Sequence, residues 1–404
     1  MQSHPPIPAP AEPDGGLPVL PDLAARFTGA AEDTAPAPVG GGAALRDAAV
    51  GYWARRGVDA TADRVLAAPG AQPLLLALFA AAGGDVLLSR PCAGWYEPLA
   101  RLAGRPAYRA PVPAECGGVP DPFALLETVR RVRAEGGEPR VLVLSVADDP
   151  TGTVPPPELL HEVCEAAVAE GMLVVSDETW RDTVPEPHGT VLVSPAEMLP
   201  DRVVVLSDLA GALLPAGWPA AVARFPDTPD GAGLRSRALA MLAAVRGTLS
   251  APVSAAAAYA LDEPESVRSR AAAAAAAYRA VGAAAYRDLT GAGVLGLPPR
   301  AGRHLYADLS ELRPALERRG VTDSVELADH LTRWLDMPVA GGHLFGDAPD
   351  ALRARLPLAP LLGADERRRR TAAESPDPTE LPYVRAALDR LAEVVTELSA
   401  ARPG

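Results

Sequence analysis

Acidic side chains lie close to the ends of successive apolar segments in this sequence. Asp148 and Asp149 come soon after one segment, and Asp177 and Asp208 come at the ends of the next two. Two carboxyl groups that share a small buried volume cannot both ionise cheaply, so one pKa is expected to rise. A protonated carboxylic acid beside an ionised one suits general acid and base catalysis near neutral pH. Asp149, Asp177 and Asp208 are therefore candidate catalytic residues.

Short apolar runs alternate with helical patterns between residues 45 and 225. Four of the runs are rich in β-branched residues: Asp85 to Leu88, Arg140 to Ser145, Met172 to Ser176 and Arg202 to Leu206. Apolar strands between helices are typical of a parallel sheet that is covered on both faces. Ligands of such sheets bind at the carboxyl ends of the strands, where the acidic residues of this sequence fall.

The ends of the chain predict other structures. Residues 1 to about 40 are rich in Pro, Gly and Ala and predict an extended arm, with a helix starting near Ala43. The later elements are a long helix at Ser266 to Leu289, a helix at Ser324 to Leu335, a final helix at Tyr383 to Ala400, and strands at His304 to Leu309 and Leu352 to Leu358. Gly363 to Pro382 is predicted to be a solvated loop. The resulting division is an arm at 1–44, a large domain at 45–270 and a small α+β domain at 271–404.

The charge of the chain excludes several classes of partner and mechanism. The 404 residues carry 38 basic and 51 acidic side chains, a formal net charge of -13. Nucleic-acid grooves and anionic membrane surfaces require clustered positive charge, so neither partner is predicted. The sequence contains no lysine, so all 38 basic side chains are arginine. Mechanisms that need a lysine amine are therefore excluded.

Cysteine usage and hydropathy indicate the compartment. Cys92, Cys116 and Cys164 are widely spaced, which favours neither a disulfide framework nor a metal site. The first 13 residues lack the apolar core of a signal peptide, and no apolar stretch is long enough to span a bilayer. We therefore predict a cytoplasmic protein.

The order of several short motifs resembles that of the class I/II aminotransferases, the fold-type I enzymes that use pyridoxal phosphate. The motifs are Pro69-Gly70-Ala71-Gln72, Arg90 to Tyr96, Asp149-Pro150-Thr151-Gly152, Ser176-Asp177-Glu178, Gly217-Trp218, Leu305 to Leu309 and Arg355-Leu356. The resemblance covers nearly the whole chain. It implies an α/β fold with a mostly parallel seven-stranded sheet between helices and a small α+β domain. It also implies a homodimer that acts on a small molecule.

The resemblance assigns several cofactor contacts to unsuitable residues. Gly211 stands where the family has the lysine that forms an imine with the cofactor, and glycine cannot form one. Asp208 replaces a serine and Pro219 an arginine that contact the phosphate, while Asp149 replaces an asparagine that contacts the ring. These differences predict that no cofactor is bound. Noncovalent binding of pyridoxal or pyridoxamine phosphate stays open as an alternative.

Other positions complete the predicted site. Asp177 matches the aspartate that pairs with the pyridine nitrogen, Arg355 matches the arginine that binds a substrate carboxylate, and His343 is a candidate proton carrier in a loop near the substrate. Residues predicted to line the substrate cleft are Gln72, Ala93, Trp95, Tyr96, Trp180, Gly211 and Arg355. The three aromatic side chains among them are expected to form an apolar or cation-stabilising wall.

Three functions are compatible with these observations. The first is an enzyme of specialised metabolism, independent of pyridoxal phosphate, that uses carboxylate acid and base chemistry for a cyclisation, dehydration or isomerisation. The second is a non-catalytic relative of the aminotransferases that acts as a partner or scaffold. The third is a protein that binds pyridoxal or pyridoxamine phosphate noncovalently and carries out lysine-free chemistry.

Overall fold

A computed structural model describes residues 18–35, 37–184 and 192–400 and contains a seven-stranded sheet. Its strands are β1 (Val65–Ala68), β2 (Asp85–Arg90), β3 (Ala107–Pro111), β4 (Pro139–Ser145), β5 (Leu173–Asp177), β6 (Val203–Asp208) and β7 (Ala221–Arg224). They lie in the order β1-β7-β6-β5-β4-β2-β3. The pairs from β6 to β3 are parallel, while β7 is antiparallel to both β6 and β1. The predicted fold class is confirmed.

Strand direction determines which strand ends lie on the same side of this sheet. The carboxyl ends of β1, β2, β4, β5 and β6 lie on one side, which we call the carboxyl edge, and the reversed strand β7 places its amino end there. Asp208 at the end of β6 pairs with Ala221 at the start of β7. Segments that are distant in sequence are therefore brought together at this edge, as expected for a parallel sheet.

Helices cover both faces of the large sheet and pack on the small one. They are α1 (Pro21–Gly29), α2 (Ala43–Ala54), α3 (Ala71–Ala82), α4 (Tyr96–Leu102), α5 (Pro122–Ala134), α6 (Pro157–Ala169), α7 (Pro195–Met198), α8 (Pro229–Ala244), α9 (Ala251–Leu261), α10 (Glu265–Gly291), α11 (Arg313–Glu317), α12 (Ser324–Leu335), α13 (Ala359–Leu362), α14 (Glu366–Glu374) and α15 (Pro382–Ala400). None of those in the described ranges is both long and apolar enough to cross a bilayer.

Alternate residues of the central strands face opposite cores, which explains their continuous apolar sequence. In β6, Val203 and Val205 belong to the core that contains α2 and α9. Val204 and Leu206 belong to the core that contains α3 and α8. All four side chains are fully buried. The loops at the ends of these strands are consequently held from both sides.

A second, antiparallel sheet follows the long helix α10. Its strands are β8 (Leu295–Gly296), β9 (His304–Asp308), β10 (Ala340–Gly341) and β11 (Arg353–Pro357), in the order β10-β11-β9-β8. Apolar residues of these strands pack against α10, α12 and α15 in a separate core. In the β9–β11 pair Arg355 is opposite Tyr306 and Pro357 is opposite His304.

Two predicted irregular segments are helical. The arm contains α1, because Pro21 is compatible with a first helical turn and Leu23 is fully buried by the structure around it. The predicted loop 363–382 contains α14, whose first turn is capped by the Asp365 side chain, which accepts from the backbone N–H of Arg368. Arginine is a good helix former, so the charge run there does not prevent a helix. Residues 1–17 of the predicted arm lie outside the described residues.

Candidate functional site

Three carboxyl groups lie together at the edge where β4 and β5 end. Asp177 is the last residue of β5, and Asp148 and Asp149 follow β4. Only 3% of Asp148 and 4% of Asp177 is exposed. The charge of Asp149 raises the pKa of both of these groups, which indicates that the three are close enough to interact. We call these three residues the acidic cluster.

Burial is the main reason that the pKa values of two members of the acidic cluster lie close to neutral pH. It raises the pKa of Asp148 to about 7, against hydrogen bonds from Thr151, and the pKa of Asp177 to about 6, against those from Thr179 and Tyr96. Repulsion between the carboxylates adds a smaller contribution in the same direction. The predicted rise of a pKa is present, but desolvation rather than charge repulsion is its largest cause.

Tyr96, predicted as part of an aromatic wall, contacts Asp177 directly. Its hydroxyl donates a hydrogen bond of 2.6 Å to Oδ2 of Asp177, and burial strongly raises its own pKa. The ring of Trp95 meets that of Tyr96 edge-on, with centroids 4.6 Å apart, and Ala93 is buried in the same core. Tyr96 therefore orients the Asp177 carboxyl group through a hydrogen bond.

Asp149 and Arg355 form an ion pair across the two sheets. Nη1 of Arg355 lies 2.7 Å from Oδ1 of Asp149, and the two side chains are 11% and 13% exposed. The guanidinium group also lies 4.5 Å from the ring centroid of Phe345. The residue predicted to bind a substrate carboxylate is thus paired with a carboxylate of the protein itself.

Asp208 caps the first turn of α3 and stands apart from the acidic cluster. Its Oδ2 accepts from the Ala71 N–H at 2.8 Å and its Oδ1 from the Ala210 N–H at 2.9 Å. Burial raises its pKa, and these two hydrogen bonds oppose the shift. The N-terminus of a helix is a ready anion site, and here a side-chain carboxylate fills it.

The turn around Gly70 holds the other residues predicted to contact a phosphate. A Cβ atom built on Gly70 would lie 3.2 Å from Oε1 of Gln72, 3.6 Å from Oδ2 of Asp208 and 3.9 Å from Cβ of Pro219. The φ of Gly70 is +108°, a backbone conformation that favours glycine. These residues surround the turn at Gly70. They include neither an arginine nor a serine that could bind a phosphate group.

Gly211 lies against the backbone that follows β5. A Cβ atom at this position would approach the carbonyl oxygen of Thr179 to 2.6 Å, so the main chain would have to move to accept any side chain. Together with the absence of lysine from the chain, this means that the residues present do not reproduce the covalent attachment implied by the resemblance. The Asp208 carboxylate beside the turn at Gly70 would repel a phosphate group. This turn therefore does not fit a phosphate bound as the resemblance implies.

Gly211→Ala is expected to lower the free energy of unfolding by about 1–3 kcal/mol, because overpacking against a fixed carbonyl forces the backbone to shift. Gly217→Ala is the matched control, since a Cβ there would meet nothing within 4 Å. Urea denaturation of the two variants measures the difference. Equal stability of both would contradict the close approach at Gly211.

Sequence reasoning did not identify His304, which lies beside the ion pair. The imidazole is 8% exposed, and its ring centroid is 5.8 Å from that of Trp180 in an edge-on contact. Burial, followed by the charges of Arg355 and Arg303, places its pKa well below the usual value. The available signal was its position at the start of the strand that pairs with β11. A neutral imidazole therefore lies within the electrostatic influence of the ion pair.

The structure does not join His343 to the acidic cluster. Its Nδ1 lies 2.9 Å from the hydroxyl of Ser324, at the start of α12, and burial lowers its pKa. The neighbouring Phe345 is the residue of this loop that reaches Arg355. The catalytic role of His343 stays a prediction without a geometric basis. Within the described residues, no group of three or more His, Cys, Asp or Glu side chains is arranged to hold a metal.

The profile of the family described as aminotransferase class I and II matches residues 31–333. A probable aspartate/prephenate aminotransferase of Thermus aquaticus is 30% identical over 211 residues, which are 51% of this chain and 53% of the relative. A probable N-succinyldiaminopimelate aminotransferase of Mycobacterium tuberculosis is 30% identical over 138 residues, 34% of this chain and 33% of the relative. The chain thus matches about half or less of the length of these relatives.

Solved structures match over a longer span. An aspartate aminotransferase from Thermus thermophilus with maleate has a TM-score of 0.76 at 22% identity and covers 95% of this chain and 90% of its own. The N-succinyldiaminopimelate aminotransferase from Mycobacterium tuberculosis has a TM-score of 0.76 at 24% identity, with coverage of 96% and 92%. These similarities establish the fold.

The prediction that no cofactor is involved is corrected by these comparisons. The matching proteins are aminotransferases, a family that normally carries pyridoxal phosphate, and nothing in them indicates that the cofactor has been lost. The differences at Asp208, Gly211 and Pro219 concern only how this chain would contact such a group. By the match of its sequence and its fold, the chain belongs to the aminotransferase class I and II family.

Proposed function

We propose that the cleft catalyses proton transfer on a small molecule that carries an amine and a carboxylate. The observation that carries the proposal is the acidic cluster, in which Asp177 and Asp148 have pKa values of about 6 and about 7. Groups with such pKa values accept and return protons efficiently near neutral pH. The hydrogen bond from Tyr96 holds the Asp177 carboxyl group in one orientation.

The charges of the site support this substrate class. The single guanidinium group of Arg355 pairs with Asp149, while Asp148 and Asp177 add two further carboxyl groups nearby, so the site favours a ligand with a positive charge, such as a protonated amine. Arg355 would bind the substrate carboxylate once Asp149 releases it, since a guanidinium group pairs with carboxylates through two parallel hydrogen bonds. Asp149 would then be free to pair with the amine.

The reaction class follows from the groups available. A carboxylate can remove a proton from carbon, and a nearby carboxylic acid can return one elsewhere on the substrate or to a leaving hydroxyl. These steps suffice for an isomerisation, dehydration or cyclisation of the kind found in biosynthesis, and none of them requires an imine with a lysine. Asp177 is the proposed base and Asp148 the proposed acid.

Exchange of substrate C–H protons with deuterated solvent tests the proposed function. The purified protein is incubated in D2O with a panel of amino acids and related zwitterions, with and without added pyridoxal phosphate, and deuterium incorporation is followed by NMR. Asp177→Asn is expected to reduce the exchange rate by about 100-fold or more, the usual contribution of a positioned base. Asp329→Asn, at an exposed position of α12, is the control and should exchange like the wild type.

The opposite results would redirect the assignment. Exchange that persists in Asp177→Asn would remove this residue from the mechanism. Failure to exchange any substrate would favour the non-catalytic alternative, in which the protein acts as a partner or scaffold. Asp149 pairs with Arg355, and Asp208 accepts from the Ala71 N–H. These contacts support that alternative, because both carboxylates have partners in the protein without a ligand.

A further inference from the structure

A shallow groove lies between α10 and the segment 299–303. It is formed by two adjoining pockets. The first is lined by Asp182, Thr183, Tyr278 and Arg303 and by the small residues Ala271, Ala274 and Ala275 of α10. The second adds Arg279, Pro299, Arg300, Ala301 and Leu358. We call it the arginine groove.

Arg303 is the central group of the arginine groove. It is only 2% exposed, and its guanidinium carbon lies 5.1 Å from the ring centroid of Tyr278 and 5.7 Å from that of Trp180. Among the described residues, no carboxylate forms an ion pair with it. A buried guanidinium group is costly without a negative partner, and contacts with aromatic faces offset only part of that cost.

Further positive charge surrounds Arg303. The guanidinium group of Arg270 donates to the carbonyl oxygens of Pro18 and Leu213, while its buried Nε has no partner in the described part of the chain. Burial and then the charge of Arg303 lower the pKa of Arg270 to about 10. Two cations are therefore held close together although the whole chain has a net charge of -13.

The remaining charges of the arginine groove leave its guanidinium groups uncompensated. Arg279 and Arg300 are exposed at its rim, and within residues 18–35, 37–184 and 192–400 neither forms an ion pair with a carboxylate. The single acidic lining residue, Asp182, already accepts from Arg56 at 2.7 Å and from the Tyr52 hydroxyl at 2.7 Å. The Asp182 carboxylate is thus already paired with residues that do not line the arginine groove.

From these contacts we infer that the arginine groove binds a small oxyanion, the carboxylate or phosphate group of a compact metabolite. The planar guanidinium group of Arg303 offers paired donors to such a group, and the arginines at the rim attract it.

The arginine groove is separate from the cleft proposed for catalysis. None of the residues that line the groove belongs to the acidic cluster. Trp180 contacts both Arg303 and His304, and burial, followed by the charges of Arg355 and Arg303, lowers the pKa of His304. The inference uses none of the acidic cluster and stands whether or not that cluster is catalytic.

Calorimetric titration of the full chain with inorganic phosphate and with succinate, at low ionic strength, tests the inference. We expect saturable binding of at least one anion with a dissociation constant of about 1 mM or below. Arg303→Gln should weaken it by about 10-fold or more and Arg300→Gln by about 3-fold, following the loss of a buried and of a rim charge. Arg130→Gln, whose residue is exposed and pairs only loosely with Glu127, should bind like the wild type.

Two further variants keep the outcome decisive. Arg300 is exposed, so Arg300→Gln remains informative even where Arg303→Gln does not fold. Arg355→Gln should leave the binding of phosphate intact, because that residue does not line the groove and is paired with Asp149. No binding up to about 10 mM, or binding that is lost in Arg355→Gln but kept in Arg303→Gln and Arg300→Gln, would overturn the inference. A preference between phosphate and succinate identifies the ligand's acidic group.

Discussion

At pH 8, Asp148→Asn is expected to be more stable than the wild-type protein by about 2–4 kcal/mol. Asp148 is almost fully buried, and burial raises its pKa from 3.8 to about 7. At pH 8 the folded wild type must therefore hold an ionised carboxylate where a protonated one is preferred. Asparagine is neutral at every pH, and its side-chain oxygen can still accept the hydrogen bonds from Thr151.

The sign of the pH dependence follows from proton binding. Between pH 3.8 and about 7 the folded state holds more protons on Asp148 than the unfolded state, so the stability of the wild type falls as the pH rises. Asp177 contributes in the same direction up to about pH 6. Below pH 4 both states are protonated, and the advantage of Asp148→Asn should disappear.

Urea denaturation at pH 4, 6 and 8 measures this difference. Asp329→Asn, at an exposed position of α12, is the matched control and should follow the wild type within about 0.5 kcal/mol at each pH. If Asp148→Asn were equally or less stable at pH 8, the carboxyl group could not be held in the desolvated environment described here.

The strands that build the cleft were predictable because their sequence has a single physical explanation. Val203 to Leu206 is continuously apolar, and only a strand covered on both faces buries every one of these residues. The acidic residues at the strand ends followed from the same argument. The helix α14 was missed because four consecutive arginines indicate solvent exposure, and exposure does not exclude a helix.

The pairing of the site residues could not be predicted. Asp149 and Arg355 are 206 positions apart in the chain, and their ion pair depends on how the small sheet sits against the large one. Asp208 was grouped with the acidic cluster because it ends a strand, but its carboxylate accepts from the backbone N–H groups of Ala71 and Ala210. The position of each aspartate after a strand predicted the side of the sheet on which it lies. The residue with which each carboxylate pairs depends on side-chain geometry, which the sequence does not specify.

Removing one partner of the ion pair is expected to be among the most destabilising single changes in the protein. Asp149→Ala leaves the largely buried guanidinium group of Arg355 without its carboxylate, which should cost about 3–5 kcal/mol in the free energy of unfolding. The double variant Asp149→Leu with Arg355→Met removes both charges and should lie much closer to the wild type, because no uncompensated charge remains. Glu127→Ala, which breaks the exposed pair with Arg130, should change stability by less than about 0.5 kcal/mol.

The same variant tests whether Asp149 occupies the place of a substrate carboxylate. With Asp149→Ala, an added carboxylate such as succinate can pair with Arg355, and binding to the folded state alone raises its stability. We therefore expect succinate to raise the melting temperature of Asp149→Ala more than that of the wild type. Introducing Arg303→Gln into both proteins removes the contribution of the arginine groove and should leave this difference in place. An equal response of the two proteins in that background would mean that Arg355 does not accept an external carboxylate, and the pair with Asp149 would then be a purely structural contact between the sheets.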